Sequence, residues 1–291
     1  MVKRNREFLP WIAPLVLFLL ITTFFPILYT VVMGFFDNYL PARRLAFAGI
    51  GNFITTFLDP LFYQVLANTV VYVAVSVFFH LLFGFLAAVF LDRKGRGRRL
   101  ASRLRVVFIV PWLIAWSVAA AIWQLILNPS GILNGILSGL GISPQPIPWL
   151  SDPRGALFWI ILITIWKALP FYMMLIYAAL TTVPDELYES ADLDGASLPM
   201  KIYHISFKSV LPTILTLMIL DIIWSLRMYD LVALTTGGGP LNGTRILSLY
   251  VYSTAFEKLQ FGLASAQGFI IMLISCSMVL AYNRLLEKKE A

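Results

Sequence analysis

Four ionisable side chains stand inside long apolar stretches of this sequence: Lys167, Asp221, Arg227 and Asp230. A charge inside a bilayer is costly, so each is by default a candidate for function. Counted at 1.5 Å per residue, Lys167 falls roughly 15 Å inward from one end of its stretch and Asp221 roughly 16 Å from the opposite membrane face. The two reach similar depth, which places them to face the protein interior and pair there. Arg227 and Asp230 are three apart and share one helix face with Trp224, while Tyr229 points elsewhere around the same segment. Arginine, carboxylate and aromatic faces together suit a polyhydroxylated ligand, through hydrogen bonds to hydroxyls and stacking on the apolar face of a sugar ring. Snorkelling of Arg227 to the interface, paired locally with Asp230, is a nearly equal alternative. Neither His80 nor His204 has a cysteine, histidine or acid at ligand spacing, so metal chemistry is not expected. His80 reads instead as a hydrogen-bonded interior histidine.

The elements that must position these groups are transmembrane helices. Of 291 residues, 59% are hydrophobic and 13% charged, against about 25% charged in soluble domains. With a mean hydropathy of +0.83, an ordinary soluble enzyme and a disordered chain are both excluded. About 20 helical residues cross a hydrocarbon core, and six apolar runs reach that length. They are Phe8 to Phe36, Val65 to Leu91, Leu104 to Leu127, Ala156 to Thr181, Val210 to Leu234 and Ala264 to Leu286. The first follows Lys3, Arg4 and Arg6 but is too long for a signal peptide, so it reads as an uncleaved span. The expected class is all-α, one polytopic domain over residues 1–291. Pro111 marks a kink in span three, and Trp166, Pro170 and Phe171 another in span four.

Orientation follows the basic residues of short loops. Arg93, Lys94, Arg96, Arg98, Arg99, Arg103 and Arg105 after span two face a single acid, Asp92, and so predict a cytoplasmic loop and cytoplasmic termini. The formal charge of +7 is explained by lipid headgroups; no aromatics interleave the arginines as nucleic-acid binding would require. The lone Cys276 allows no disulfide within the chain.

One cytoplasmic segment breaks the pattern. Residues 182–209 carry Asp185, Glu186, Glu189, Asp192 and Asp194 against Lys201 and Lys208. Thr182 is placed to cap a helix from Pro184 to Leu193 whose first turn holds two acids. Asp194-Gly195 supplies a turn, and Ser197 with Pro199 starts a second short helix. The expectation is an anionic helix-turn-helix knob, with small Ala191 allowing close approach to a soluble partner.

Glu189 to Ser197, with Ile205 ten residues after Gly195, resembles the EAA loop of membrane subunits of binding-protein-dependent ABC importers. Ser190 stands where the family usually has alanine, and Phe207-Lys208 where it has Leu-Pro. Leu234 to Pro240, Thr244, Tyr250 to Phe256 and Gly262 to Ala266 are similar to the carbohydrate branch, and to the first of its two maltose-permease-type subunits. Asn68-Thr69, Pro111-Trp112, Trp123, Asn134 and Trp149 to Pro153 extend the resemblance over nearly the whole chain.

The resemblance implies a type I importer permease fold with a sugar path along span five, which favours solute contact by Trp224, Tyr229 and Asp230. It makes Glu189, Ala191, Asp194 and Gly195 part of a coupling helix docked on a cytoplasmic ATPase. It also implies a second permease subunit, two ATPase subunits and an external solute-binding protein. No phosphate cradle is present here, because Thr244 stands where a P-loop lysine would and Pro240 removes a backbone donor. ATP and Mg²⁺ are therefore expected on a partner chain, and no cofactor on this one. Two other classes stay open on residues alone. One is a proton-driven transporter using Lys167 and Asp221; the other is a membrane enzyme using His80 with a carboxylate.

Overall fold

In hydrocarbon every backbone polar group must find a partner within the protein, and a helix supplies those partners locally. The computed structural model describes residues 9–39, 41, 44–91 and 108–290. The basic residues Lys3, Arg4, Arg6 and Arg43 and the arginine-rich segment from Arg93 to Arg105 lie outside the described residues. Five helices there are long and apolar enough to cross a bilayer: Trp11–Met33, Pro60–Leu91, Ala156–Leu180, Leu198–Leu226 and Phe261–Leu280. Trp116–Ile126, within span three, is a shorter apolar helix. The chain divides into two compact units, one of Met1–Tyr63 with Tyr250–Ala291 and the other of Gln64–Leu249.

In the first unit, span one carries Pro14 and Pro26 and relaxes into a π turn at Leu20–Phe24. The hydroxyls of Thr22 and Thr30 fold back onto Phe18 O and Pro26 O at 2.7 and 2.8 Å, the lipid-compatible arrangement for a polar side chain in a span. The helix stops at Met33 rather than Phe36. Phe36–Tyr39 (β1) then pairs antiparallel with Arg44–Phe47 (β2), two strands that an all-helical expectation omits. Asn52 secures this exit by donating to Gly34 O and Phe36 O. Span six, Phe261–Glu290, packs on the end of span one, on β1 and on the helix Gly51–Leu58.

Span two starts at Pro60, five residues before the expected Val65. Asp59 caps it, accepting from the Leu61 amide at 2.9 Å, and Pro60 follows at the first helical position, a start signal hidden by the less apolar residues around it.

The second unit holds two buried apolar clusters. One gathers Tyr72, Val77, Ile160, Ile163, Leu231 and Ile246; the other gathers Phe85, Ala88, Ile176, Leu180, Val210 and Leu217. On spans two, four and five the sequence between them holds His80, Lys167 and Asp221, so the buried polar groups form a layer between two apolar ones. Gly84 permits that layer to close. A Cβ on it would lie 2.7 Å from Tyr172 Cβ, so only glycine lets span two approach span four this nearly.

Two spans are interrupted. Residues 108–113 are helical, the chain bends at Ile114, and Ala115 is extended before Trp116 restarts the helix. The break therefore falls beyond Pro111. Span four, by contrast, runs unbroken through Pro170. Span five was expected from Val210 to Leu234, but it ends at Leu226; Arg227 to Tyr229 are non-helical and a new helix covers Asp230–Thr235.

The acidic loop forms the expected knob with two corrections. Thr182 bonds back to Ala179 O instead of capping the helix Asp185–Leu193, which Pro184 precedes. Gly195 (φ +73°) ends that helix: its amide donates to Asp192 O and the Ala196 amide to Ala191 O, the paired bonds of a Schellman turn. The second helix is not separate, because Leu198–Lys201 continues through a π segment, Ile202–Phe207, into Lys208–Leu226. Phe207-Lys208 thus lies at the junction of π and α geometry. Tyr188 and Ser206 share a hydrogen bond, and Lys201 pairs with Asp192, so the knob is braced against the rod it leads into.

Gly84→Ala should push span two from span four and destabilise the protein by about 1–3 kcal/mol. A lowered thermal midpoint of the detergent-purified protein checks this; an unchanged midpoint would show that the approach is not tight.

Candidate functional site

The polar layer opens into a cavity of about 590 Å³, all of it within the second unit. Spans two, three, four and five each contribute: His80; Trp112 and Trp116; Thr164, Lys167, Phe171 and Tyr172; Asp221, Trp224 and Ser225. The interrupted stretch after span five adds Arg227, Met228, Tyr229 and Asp230. All six residues proposed for a solute path from the sequence are therefore brought to one cavity, together with four aromatic groups not singled out for it.

The expected pairing of Lys167 with Asp221 is replaced by a different one. Asp221 Oδ2 lies 2.8 Å from His80 Nδ1, with both side chains almost wholly buried. Its other oxygen accepts from Ser225 Oγ at 3.3 Å. The His80 ring lies flat on Tyr172, with centroids 5.0 Å apart and planes 11° from parallel. Proximity explains the exchange, since histidine and aspartate meet across spans two and five where no helical spacing could reveal it. His80 Nε2 and Ser76 Oγ, one turn earlier, are buried without a hydrogen-bond partner among the described residues. Beside them Tyr72 meets Thr164 at 3.1 Å; Thr164 already donates to Ile160 O, so the tyrosine is the donor.

Lys167 turns to span three, donating to Trp112 O at 3.4 Å and lying 4.4 Å from the centre of the Trp116 ring. Trp112 stacks on Phe171, and Phe171 meets Trp224 edge-on at 5.4 Å, so one aromatic wall runs over three spans. Trp112 and Trp224 remain 43% and 46% exposed, leaving ring faces available for stacking.

Arg227, Tyr229 and Asp230 do not share a helix with Trp224. Arg227 caps the end of span five, and Tyr229 precedes the helix that Asp230 opens. No ion pair joins Arg227 to Asp230, and both are exposed. The Asp230–Thr235 helix packs on Trp116–Ile126, where Gln124 donates to Thr235 O. Ser248 hydrogen-bonds the Met228 carbonyl freed by the interruption. Beyond it Asn68 donates to Asn242 O and Arg245 O, and Thr69 accepts from the Leu247 amide, so span two carries the glycine-rich turn. Thr244 closes that turn by donating to Gly239 O.

Ser225 donates to the carboxylate of the His80 pair and not to the imidazole, so the pair does not activate this serine. Among the described residues no three His, Cys, Asp or Glu groups could hold a metal ion.

Residues 80–290 match the binding-protein-dependent transport system inner membrane component family. The chain belongs to this family. It is thus a multi-pass permease component of the inner membrane and not an enzyme. Among its relatives, "Probable ABC transporter permease protein YurN" of Bacillus subtilis is 30% identical over 283 residues, 96% of each chain. The trehalose/maltose transport system permease protein MalF of Thermococcus litoralis is 30% identical over 272 residues, 93% of this chain and 90% of that one. A bacterial ABC transporter involved in import of the acidic polysaccharide alginate shares the fold, with TM-score 0.86 at 22% identity, over 99% of this permease and 97% of that chain.

Removing one member of the buried pair strands the other. His80→Leu should cost about 3–5 kcal/mol, and the double variant His80→Leu with Asp221→Leu should cost less than the sum of His80→Leu and Asp221→Leu made singly. Thermal melts of the four purified proteins measure this coupling; simple additivity would dissolve the pair as an energetic unit.

Proposed function

We propose that the permease is one of two membrane subunits of an ABC importer that carries a sugar or sugar-like solute, driven by ATP hydrolysis on separate cytoplasmic chains. The observation that carries this reading is the cavity: aromatic faces from spans three, four and five surround a few fixed polar groups, the arrangement that recognises a ring with hydroxyls on its edges. Relatives named as trehalose/maltose and lactose permeases point to the same solute class. Trp224, Tyr229, Arg227 and Asp230 then contact the solute, with Lys167 and Asp221 lining the deeper part of its path. Residues 1–291 act as a single permease domain.

Both termini and the 182–209 loop face the cytoplasm. The knob at Glu189, Ala191, Asp194 and Gly195 docks on an ATPase, which holds ATP and Mg²⁺. Exposed acids and exposed Leu187, Leu193 and Leu198 give that surface both charge and apolar area. A second permease chain completes the pathway. An external solute-binding protein delivers its cargo against the segments from Asn128 to Asp152 and from Gly237 to Thr244. Alternating access follows, with nucleotide-driven closure of the ATPases moving the knobs and turning the cavity outward.

Tagged permease, extracted gently from its native membrane, should bring down a second permease and an ATPase by mass spectrometry. Gly195→Asp, which places a side chain and a charge at a left-handed position, should lose at least 90% of the ATPase while retaining the second permease. Recovery of the chain alone from wild type would overturn the reading.

A further inference from the structure

A helix interrupted within a membrane frees carbonyls and amides that lipid cannot satisfy, so a side chain that reaches such a break does more than line a cavity. In an unbroken span three, the Trp112 carbonyl would accept from the Trp116 amide four residues on. Extended backbone at Ala115 (φ −62°, ψ 150°) removes that donor. The Lys167 ammonium from span four takes its place at Trp112 O and covers the Trp116 ring. One cation thus holds the last turn before the break and the first residue after it. Both contacts favour a positive charge, because freed carbonyls at a helix C-terminus are partially negative and a ring face attracts cations. Among the described residues no carboxylate is within ion-pair distance of Lys167, and Asp221 has both oxygens engaged elsewhere.

We propose that Lys167 is a positioning residue for translocation, a clasp across the interrupted span three that fixes the angle between its two halves and so sets Trp112 and Trp116 as walls of the cavity. Its consequence for transport rests on the cavity being the solute path; the clasp itself does not. Through the Trp112–Phe171 stack and the Phe171–Trp224 contact, the same clasp registers the walls of spans three, four and five. Methionine at 167 retains most of the stem and loses every donor, which separates packing from clasping. Arginine retains the charge and the donors.

The test uses the assembled importer in lipid nanodiscs, in a Cys276→Ser background, with spin labels on cysteines replacing Val110 and Val118. These positions flank the break and are 52% and 49% exposed. Pulsed electron paramagnetic resonance should give a narrow distance distribution for the otherwise wild-type protein. It should be at least twofold broader in Lys167→Met and narrow again in Lys167→Arg. A methionine variant with the parental width overturns the clasp, as does an arginine variant as broad as methionine. Uptake of radiolabelled maltose, trehalose and lactose by cells expressing the same variants supplies the second readout. Lys167→Met should lower the uptake at least tenfold and Lys167→Arg should keep more than half; parental uptake with methionine overturns the positioning role. If the parental importer takes up none of the three, its solute is not one of these disaccharides, and the distance measurement still decides the clasp.

Discussion

Hydrocarbon offers no hydrogen-bond partners, and the second unit is organised around that constraint. Where its helices are whole, the backbone satisfies itself. Where they are interrupted, at Ile114-Ala115 and at Arg227 to Tyr229, side chains from neighbouring elements take the orphaned carbonyls: Lys167 at Trp112 and Ser248 at Met228. The polar cavity follows from this arrangement. Non-helical backbone is tolerated at membrane depth only inside protein or against a cavity, so the two interruptions and the aromatic pocket between them require one another.

The buried charges obey the same economy. Asp221 is almost wholly buried and would be costly alone, yet His80 and Ser225 occupy both its oxygens and Tyr172 covers the imidazole. This pair ties span two to span five at the level where the apolar clusters part. Toward the Leu226 end the cost falls: Arg227 and Asp230 are exposed and need no mutual ion pair. The site is thus paired and buried at Asp221 and exposed at Arg227 and Asp230.

Much of the architecture was legible because lipid imposes a long, simple signal. Runs of apolar residues located the helices of spans one, two, four and six to within about five positions but misplaced span five, which runs Leu198–Leu226 instead of Val210–Leu234. Proline, acids and Asp-Gly located the knob, since each acts through local backbone geometry. Interruptions were not legible. Nothing between Leu226 and Asp230 is glycine or proline, and Pro111 weakens the turn before it, whereas the bend comes three residues after it. Such breaks are stabilised by partners distant in sequence, Lys167 and Ser248, which no local pattern can identify. The same limit hid the His80–Asp221 pair, whose members are 141 residues apart. Equal depth suggested Lys167 as the partner because depth is what a sequence reveals and azimuth is not. The β1–β2 hairpin went unread for a different reason, since four-residue strands leave too short a period-two pattern to register.

Continuity between the knob and span five has a mechanical meaning. Leu198–Leu226 is one helical rod of 29 residues, roughly 43 Å long at 1.5 Å per residue. Its foot is gripped by the Tyr188–Ser206 bond and the Asp192–Lys201 pair, and its head is the wall of the cavity where Trp224 stands. A tilt of about 10° at the foot displaces the head sideways by roughly 7 Å, on the order of a sugar ring's width, given that length. Arg227 to Tyr229, non-helical, separate this rod from the helix that follows, so a tilt of the rod need not be passed whole to the Asp230–Thr235 helix.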